Sequence, residues 1–212
     1  MIIENAKKYI EQIFSDDCSG HDYFHTMRVY RLAMQLAEQE NADKQIVQLA
    51  ALLHDVDDVK LSPETHEQKT NAVEFMKNNG LADNVIHFVC KIIGEVSYAG
   101  IDSAVPDTIE GKCVQDADRL DALGAIGIAR TFAYGGSKGR KIYDPDIKPK
   151  NDMTEKEYRE NKNSTGINHF YEKLLLLKDM MHTKTAKKIA EHRQTVMENF
   201  LKEFMAEWEG ER

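Results

Sequence analysis

The sequence predicts an all-α protein. Apolar residues recur at spacings of three and four through nearly the whole chain, which is the period of an amphipathic helix. Runs of alternating apolar and polar residues bounded by hairpin turns are absent, so strands are not expected. The chain has 212 residues, of which 42% are hydrophobic and 30% charged, enough for one sizeable core. We therefore expect a single domain over residues 1–212.

Each helix is predicted from an apolar stripe and from the residues that begin and end it. Asp22 is a suitable N-cap, and the stripe after it keeps His25 on the buried face of the second helix. The third helix is apolar and reaches His54 and Asp55. The expected helices cover roughly residues 3–14, 22–36, 46–55, 63–79, 85–96, 107–128, 166–181 and 183–208.

In the first predicted helix, Ala6, Ile10 and Ile13 are expected to face inward.

A polar stretch with few apolar anchors lies between the helices predicted over 107–128 and 166–181. We predict a long polar loop there, at about 135–165. Loops of this length inside a compact domain tend to be functional or disordered.

Charge and cysteine content exclude several classes of protein. The net charge of −8 argues against binding to a nucleic acid polymer or to an anionic membrane surface. No stretch has the length of a membrane span, and the first residues become charged too early for a signal peptide, so we expect a cytoplasmic protein. Three cysteines without a Cys-x-x-Cys pair suggest neither a disulfide framework nor a thiolate zinc site.

The adjacent His54 and Asp55, at the end of an apolar helix, are the sharpest chemical feature. Alone, the pair is better explained by a histidine that is hydrogen-bonded in the core. His25 lies on one apolar stripe and Asp118 in another apolar helix. Together with them, the pair favours a metal site over a core histidine, because buried charges are costly unless they are paired or bind a metal. Neighbouring helical residues diverge by about 100°, so His54 and Asp55 can share an ion only near a helix end.

Two imidazoles and two carboxylates leave open positions on a six-coordinate ion. Such a ligand set suits Mn²⁺, Fe²⁺, Co²⁺ or Ni²⁺ better than a closed tetrahedral zinc site. We expect one divalent ion, with Mn²⁺ as the first choice and Co²⁺, Ni²⁺, Fe²⁺ and Mg²⁺ as alternatives. Open positions on the ion allow catalysis.

The order His25, His54-Asp55, Asp118 resembles the defining signature of the HD superfamily of metal-dependent phosphohydrolases. Residues 20–22, 115–125 and 168–174 are also similar to small stand-alone bacterial members of that superfamily. The resemblance implies an HD-type helical bundle that hydrolyses a phosphate ester or anhydride. It makes His25, His54, Asp55 and Asp118 the metal ligands.

The resemblance also implies a proton-transfer carboxylate three positions after Asp55, which is Asp58. Many relatives have Glu there, and Asp57 is a competing candidate. Binuclear members carry further histidines before the last aspartate, whereas this chain has only His66 and His87 in that interval. We therefore expect a mononuclear site.

Cationic side chains should hold the phosphate oxygens of the substrate. Arg28 lies three residues after His25 and Lys60 follows the acidic pair, although both could be solvated surface charges. Lys138 and Arg140 would contact phosphate if the polar loop closes as a lid, and plain flexible surface is the alternative.

These features support more than one function. The first is hydrolysis of a nucleotide, such as a nucleoside triphosphate with release of pyrophosphate, or of another small phosphorylated metabolite. The second is a non-catalytic metal or nucleotide sensor, suggested by Asp58 in place of Glu. A di-iron oxygenase is a third, but the chain offers too few additional histidines. No sequence feature selects the substrate or decides whether the chain forms a homo-oligomer.

Overall fold

Helices form where the three-to-four spacing predicts them, in a computed structural model that describes residues 1–14, 22–59, 62–161 and 163–212. These residues contain helices and no strand, which confirms the all-α prediction. The α-helices are α1 (Ile2–Ile13), α2 (Tyr23–Glu40), α3 (Lys44–Leu53), α4 (Thr70–Asn78), α5 (Asp83–Val96), α6 (Ile109–Asp121), α7 (Gly124–Ser137), α8 (Glu155–Glu160), α9 (Gly166–Glu172) and α10 (Lys184–Trp208). Two 3-10 helices cover Gly100–Asp102 and Leu174–Met180.

The chain divides into two compact units. The first comprises Met1–Tyr98 and Ala104–Asp118, and the second comprises Ala99–Ser103 and Arg119–Arg212. Each unit is helical, and the boundary falls inside α6. The expectation of one domain over residues 1–212 stays a prediction.

In the first unit, α3 is the central helix. It packs against α1, α2 and α5, and α5 also packs against α4. Seven of the ten residues of α3 are buried, including the unbroken run from Leu49 to Leu53. Each large apolar side chain buried in this way contributes about 1.5–3 kcal/mol. Because α3 is buried on most of its circumference, the residues directly after it also lie in the interior. These residues are His54 and Asp55.

The packing of α1 corrects one sequence expectation. Ala6 and Ile10 are fully buried as predicted, but Ile13 is 39% exposed and Phe14 is buried in its place. A step of four residues rotates the side chain by only about 40° from its predecessor, whereas a step of three turns it about 60° to the other side. Phe14 therefore continues the buried line of α1.

The helix predicted over 63–79 begins later, because a distant carboxylate determines its start. Residues 63–69 form turns, and α4 starts at Thr70. Asp57 accepts hydrogen bonds from the backbone N–H groups of Asn71 at 3.1 Å and Ala72 at 2.9 Å. The Asn71 side chain donates to Val56 O at 3.0 Å. Asp57 thus caps α4 from outside the helix, satisfying N–H groups that have no partner within it.

In the second unit, the helix predicted over 107–128 is interrupted after Asp121. Gly124 has a φ of 71°, which favours glycine, and begins α7. Arg193 on α10 donates to Leu120 O at 2.5 Å, and Arg130 forms a 2.8 Å ion pair with the buried Asp121. The first interaction adds a donor to a carbonyl oxygen near the end of α6, and the second pairs the charge of the buried Asp121.

The predicted loop at 135–165 contains more regular structure than expected. α7 continues to Ser137, and α8 forms within the segment. The start of α8 has a capping box, in which the Thr154 side chain accepts from Glu157 N while the Glu157 side chain accepts from Thr154 N. This local signature was present in the sequence. The segment predicted as a long polar loop therefore contains the last residues of α7 and the whole of α8.

Much of the remaining segment is held against α9. The first two N–H groups of α9 donate to Lys141 O at 2.9 Å and Ile142 O at 3.0 Å. The carboxylate of Glu172, which is only 4% exposed, accepts from Lys150 N at 3.2 Å and Ser164 Oγ at 2.6 Å. One buried carboxylate therefore fixes two distant points of the segment.

Across the described ranges, every helix is too short or too polar to cross a membrane.

Asp57→Asn should destabilise the protein by about 1–3 kcal/mol, because an amide offers one acceptor oxygen where two backbone donors now bond to a carboxylate. The measurement is chemical denaturation. Asp83→Asn, an exposed residue in the first turn of α5, is the matched control and should change stability by less than about 0.5 kcal/mol. Equal stability of Asp57→Asn and the wild type would contradict the capping role.

Glu172→Ala should also cost about 1–3 kcal/mol, since Lys150 N and the buried Ser164 hydroxyl lose their acceptor. Limited proteolysis should then cut within residues 141–152 faster than in the wild type. Glu207→Ala, at an exposed position on α10, serves as the control. An unchanged cleavage rate would show that Glu172 does not hold the segment.

Candidate metal centre

His25 enters the interior because of where α2 begins. The side chain of Asp22 accepts a hydrogen bond from His25 N at 2.7 Å, which confirms Asp22 as the N-cap of α2. His25 lies in the first turn, on the face of α2 that also buries Val29 and Leu36, and its exposed fraction is 0%. A full imidazole is therefore removed from water at the start of a helix.

His54 is the C-cap of α3, so the backbone is leaving the helix where the predicted ligand pair stands. Its Nδ1 atom lies 2.8 Å from Ala51 O. Because a carbonyl oxygen can only accept, Nδ1 carries a hydrogen, and Nε2 is the nitrogen that faces the cluster. His54 Nε2 is buried and makes no hydrogen bond.

Four predicted ligands lie close together in the first unit. One ligand atom from each of His25, His54 and Asp55 lies within 4.8 Å of the other two. The Asp55 carboxylate is 3.3 Å from the Nε2 atoms of both histidines. Asp118 Oδ1 lies 3.5 Å from His25 Nε2 and 3.8 Å from His54 Nε2. α2, the end of α3, and α6 thus converge on one small volume.

The electrostatics of this volume are unusual for a histidine. Burial lowers the pKa of His54, but the negative charge of Asp55, its interaction with the ring, and the charge of Asp118 raise it by more, so the pKa is about 9. The cluster therefore attracts positive charge strongly enough to overcome desolvation of an imidazolium. A cation is what the carboxylates require.

The donor set fits a divalent metal ion. Two imidazole nitrogens with Nε2 facing inward and a shared carboxylate are typical ligands of first-row transition ions. The bond from His54 Nδ1 to Ala51 O is the kind of outer contact that orients a ligating imidazole. Asp118 is more open, with 26% of its side chain accessible, so the side of the cluster near it faces solvent. The His-His-Asp group could therefore hold an ion and still admit a substrate.

The two candidate proton-transfer carboxylates have different surroundings. Asp57 is 1% exposed, and its carboxylate oxygens accept from two backbone N–H groups of α4. Asp58 is half-buried, and its backbone N–H donates to Asp55 O at 3.0 Å in the turn after α3. This turn keeps Asp58 next to the cluster.

The predicted substrate cations are distributed over both units. Arg28 is half-buried on α2, one turn after His25, whereas Lys60 lies outside the described residues. Lys138 and Arg140 belong to the second unit, where Lys138 Nζ lies 5.7 Å from the Tyr134 ring centroid and Arg140 N donates to Gly135 O. Their contact with a substrate stays a prediction.

His66 and His87 do not join the cluster. His66 Nδ1 lies 2.8 Å from Asp57 O, and His87 is exposed on α5. Within the described ranges, His25, His54 and Asp55 form the one group of three potential ligands. A single ion remains the prediction.

Sequence reasoning did not single out Lys69. This half-buried lysine is the N-cap residue of α4, and its Nζ lies 3.4 Å from His66 Nδ1. Nothing in the sequence marks it, because it stands eleven residues after Asp58 in a segment expected to be helical.

Residues 22–123, which include all four predicted ligands, match the family model of the HD domain. The YpgQ protein of Bacillus subtilis is 40% identical over 205 residues, which is 94% of this chain and 90% of YpgQ.

Solved structures extend the similarity to the fold. A crystal structure from Lactobacillus plantarum has a TM-score of 0.88 at 39% identity, covering 99% of this chain and 97% of that one. A Bacillus thuringiensis structure described as an HD-superfamily hydrolase has a TM-score of 0.75 at 44% identity, with 98% and 96% covered.

YpgQ itself has been crystallised in complex with ADP. That structure has a TM-score of 0.76 at 35% identity and covers 97% of each chain. The matching domain, the extent of the identity and the shared fold lead to one conclusion. The chain belongs to the HD superfamily and has the fold of its hydrolases.

Proposed function

We propose that this protein is a metal-dependent phosphohydrolase acting on a nucleotide or another small phosphorylated metabolite. The observation that carries the proposal is the buried cluster of His25, His54 and Asp55, with Asp118 at its more open side and Asp58 in the adjoining turn. Metal ligands and a nearby carboxylate are the minimum that this chemistry needs.

The four clustered side chains would hold one divalent ion. His25 and His54 would bind through Nε2, and Asp55 and Asp118 through carboxylate oxygens. Mn²⁺ is the first expectation, with Co²⁺, Ni²⁺, Fe²⁺ and Mg²⁺ as alternatives, because imidazole and carboxylate suit several ions of this series. When bound, such an ion lowers the pKa of water and stabilises negative charge on a phosphoryl oxygen.

The protein's own groups would supply positioning and proton transfer. Asp58 would accept the proton of the attacking water or return one to the leaving oxygen. The hydrogen bond from its backbone N–H to Asp55 O holds the Asp58 backbone beside that ligand. Asp57 is the weaker candidate, because its carboxylate already accepts two backbone hydrogen bonds and is almost inaccessible.

A nucleotide is the substrate class we favour. The ADP complex of the similar YpgQ supports it, since this chain and YpgQ share 40% identity over nearly their full lengths. A nucleoside triphosphate cleaved with release of pyrophosphate is the specific reaction to test first. The assay should therefore score pyrophosphate and orthophosphate separately over a panel of phosphorylated metabolites, with Mn²⁺, Co²⁺, Ni²⁺ and Mg²⁺ supplied in turn.

His54→Ala and Asp55→Ala should each lose both bound metal and hydrolysis, because each removes a ligand from the core of the cluster. Metal per chain is measured by elemental analysis and turnover by phosphate release. Asp55→Asn is the variant of nearly equal shape if an alanine variant fails to fold. His87→Ala, an exposed imidazole on α5, is the control and should keep both properties. Full activity in a metal-free ligand variant would contradict the proposal.

Asp58→Asn should keep the metal and lose about 10²–10⁴-fold in kcat, the range expected for a proton-transfer group. Asp83→Asn on α5 is again the matched control. If Asp58→Asn is fully active and folded Asp57→Asn is not, Asp57 is the proton-transfer residue. If the wild type binds nucleotide without turnover with every metal, the protein is a sensor and the hydrolase proposal is wrong.

A further inference from the structure

We propose that Lys69 binds a phosphate group of the substrate beside the metal centre. This inference rests on the proposed function, because it assigns the cation that holds the substrate of that site. It concerns a residue that neither composition nor motif singled out. Four observations support it, each drawn from the first unit of the chain.

The first observation is that Lys69 violates the local preferences of its position. It is the N-cap of α4, where Ser, Thr, Asp and Asn are preferred, and its side chain makes no capping hydrogen bond. Its charge is at the positive end of the helix dipole, which is unfavourable for a cation. Its φ of 51° lies in the left-handed region that asparagine and glycine tolerate better.

Three unfavourable features at one residue need a compensating reason. An asparagine here would accept the backbone conformation more readily and would remove the charge repulsion. Departures from local rules of this kind are concentrated at functional sites. The lysine is therefore more readily explained by what its ammonium group does than by the stability of α4.

The second observation is the environment of the ammonium group. Lys69 is half-buried, and within the described part of the chain it forms no ion pair. Its Nζ lies 3.4 Å from His66 Nδ1. Because His66 Nδ1 donates to Asp57 O at 2.8 Å, its hydrogen is already used and it is a poor acceptor for Lys69.

The third observation is proximity to the candidate proton-transfer group. Burial lowers the pKa of Lys69, while the charges of Asp57, Asp58 and the Cys90 thiol act in the opposite direction. The contacts agree with this, because His66 Nδ1 lies 3.4 Å from Lys69 Nζ and 2.8 Å from Asp57 O, the residue before Asp58. Asp58 is in turn tied to Asp55 by the 3.0 Å backbone hydrogen bond. Through His66, the ammonium group therefore lies beside the turn that begins at Asp55 and carries Asp57 and Asp58.

The fourth observation is the chemistry of the substrate class. The cluster and the following turn supply carboxylates, which repel phosphate, and a single divalent ion can neutralise only part of a polyphosphate. A flexible, half-buried ammonium group without a carboxylate partner is a typical phosphate ligand. Asp57 fixes the start of α4 and so holds the backbone of Lys69 in place.

The test compares Lys69→Asn and Lys69→Arg with the wild type, using Mn²⁺-loaded protein and deoxynucleoside triphosphates. Lys69→Asn should raise KM about 10–100-fold, the loss expected for one charged hydrogen bond, with full metal occupancy. Its Tm should stay the same or rise by about 2–4 °C, because the local strain is relieved. Lys69→Arg should restore most of the affinity. Lys77→Gln, an exposed lysine in the last turn of α4, is the control.

The outcomes separate this inference from the proposed function. An active wild type with unchanged KM in Lys69→Asn would overturn only the role of Lys69. A lower kcat with a shifted pH profile and unchanged KM would also overturn it, since Lys69 would then act by tuning Asp58. If the wild type does not hydrolyse any substrate, ADP binding by calorimetry decides: weaker binding by Lys69→Asn supports the inference, and equal or absent binding refutes it.

Discussion

Mutual attraction between buried imidazoles and carboxylates at the end of α3 is the interaction on which the first unit depends. α3 is buried on most of its surface, so the residues that follow it cannot avoid the interior. His54 and Asp55 are there, and His25 and Asp118 arrive from α2 and α6. The carboxylates raise the pKa of His54 to about 9 against the effect of burial, so the cluster selects for a cation. The buried carboxylate of Asp55 thus needs a nearby positive charge, which the surrounding apolar side chains cannot supply.

The turn after α3 organises the surroundings of that site. Consecutive aspartates would repel one another if both were left in the same environment. Instead, the Asp57 carboxylate is directed to backbone N–H groups at the start of α4, and Asp58 stays in the turn bonded to Asp55 O. One acidic residue stabilises the fold while its neighbour stays beside the cluster. The same cap holds the turns of residues 63–69 and, with them, Lys69.

The proposed role of Lys69 and the stability of α4 make opposing demands on the start of that helix. A helix needs a short polar N-cap, and a phosphate needs a cation, and the residue found there is a lysine in a left-handed conformation. Asp57 compensates by capping the helix from a distance. The second unit has a comparable arrangement: buried Glu172 accepts hydrogen bonds from two separated parts of the polar segment and holds it against α9. In both cases a buried carboxylate accepts hydrogen bonds from donors that lie outside its own turn or helix.

The sequence by itself determined the all-α class, the N-cap at Asp22, and a third helix that ends close to His54 and Asp55, because period, capping and helix length are local properties. It also identified His25, His54, Asp55 and Asp118 as a set through their order along the chain. Only the tertiary structure decided that Asp57 caps α4, that α4 begins at Thr70 and that the helix after Asp107 breaks before Gly124. It alone brought Lys69, through His66, beside the turn that carries Asp57 and Asp58. These outcomes depend on hydrogen bonds and charges between residues that are separated in the chain. The spacing of apolar residues and the local capping residues do not predict such contacts.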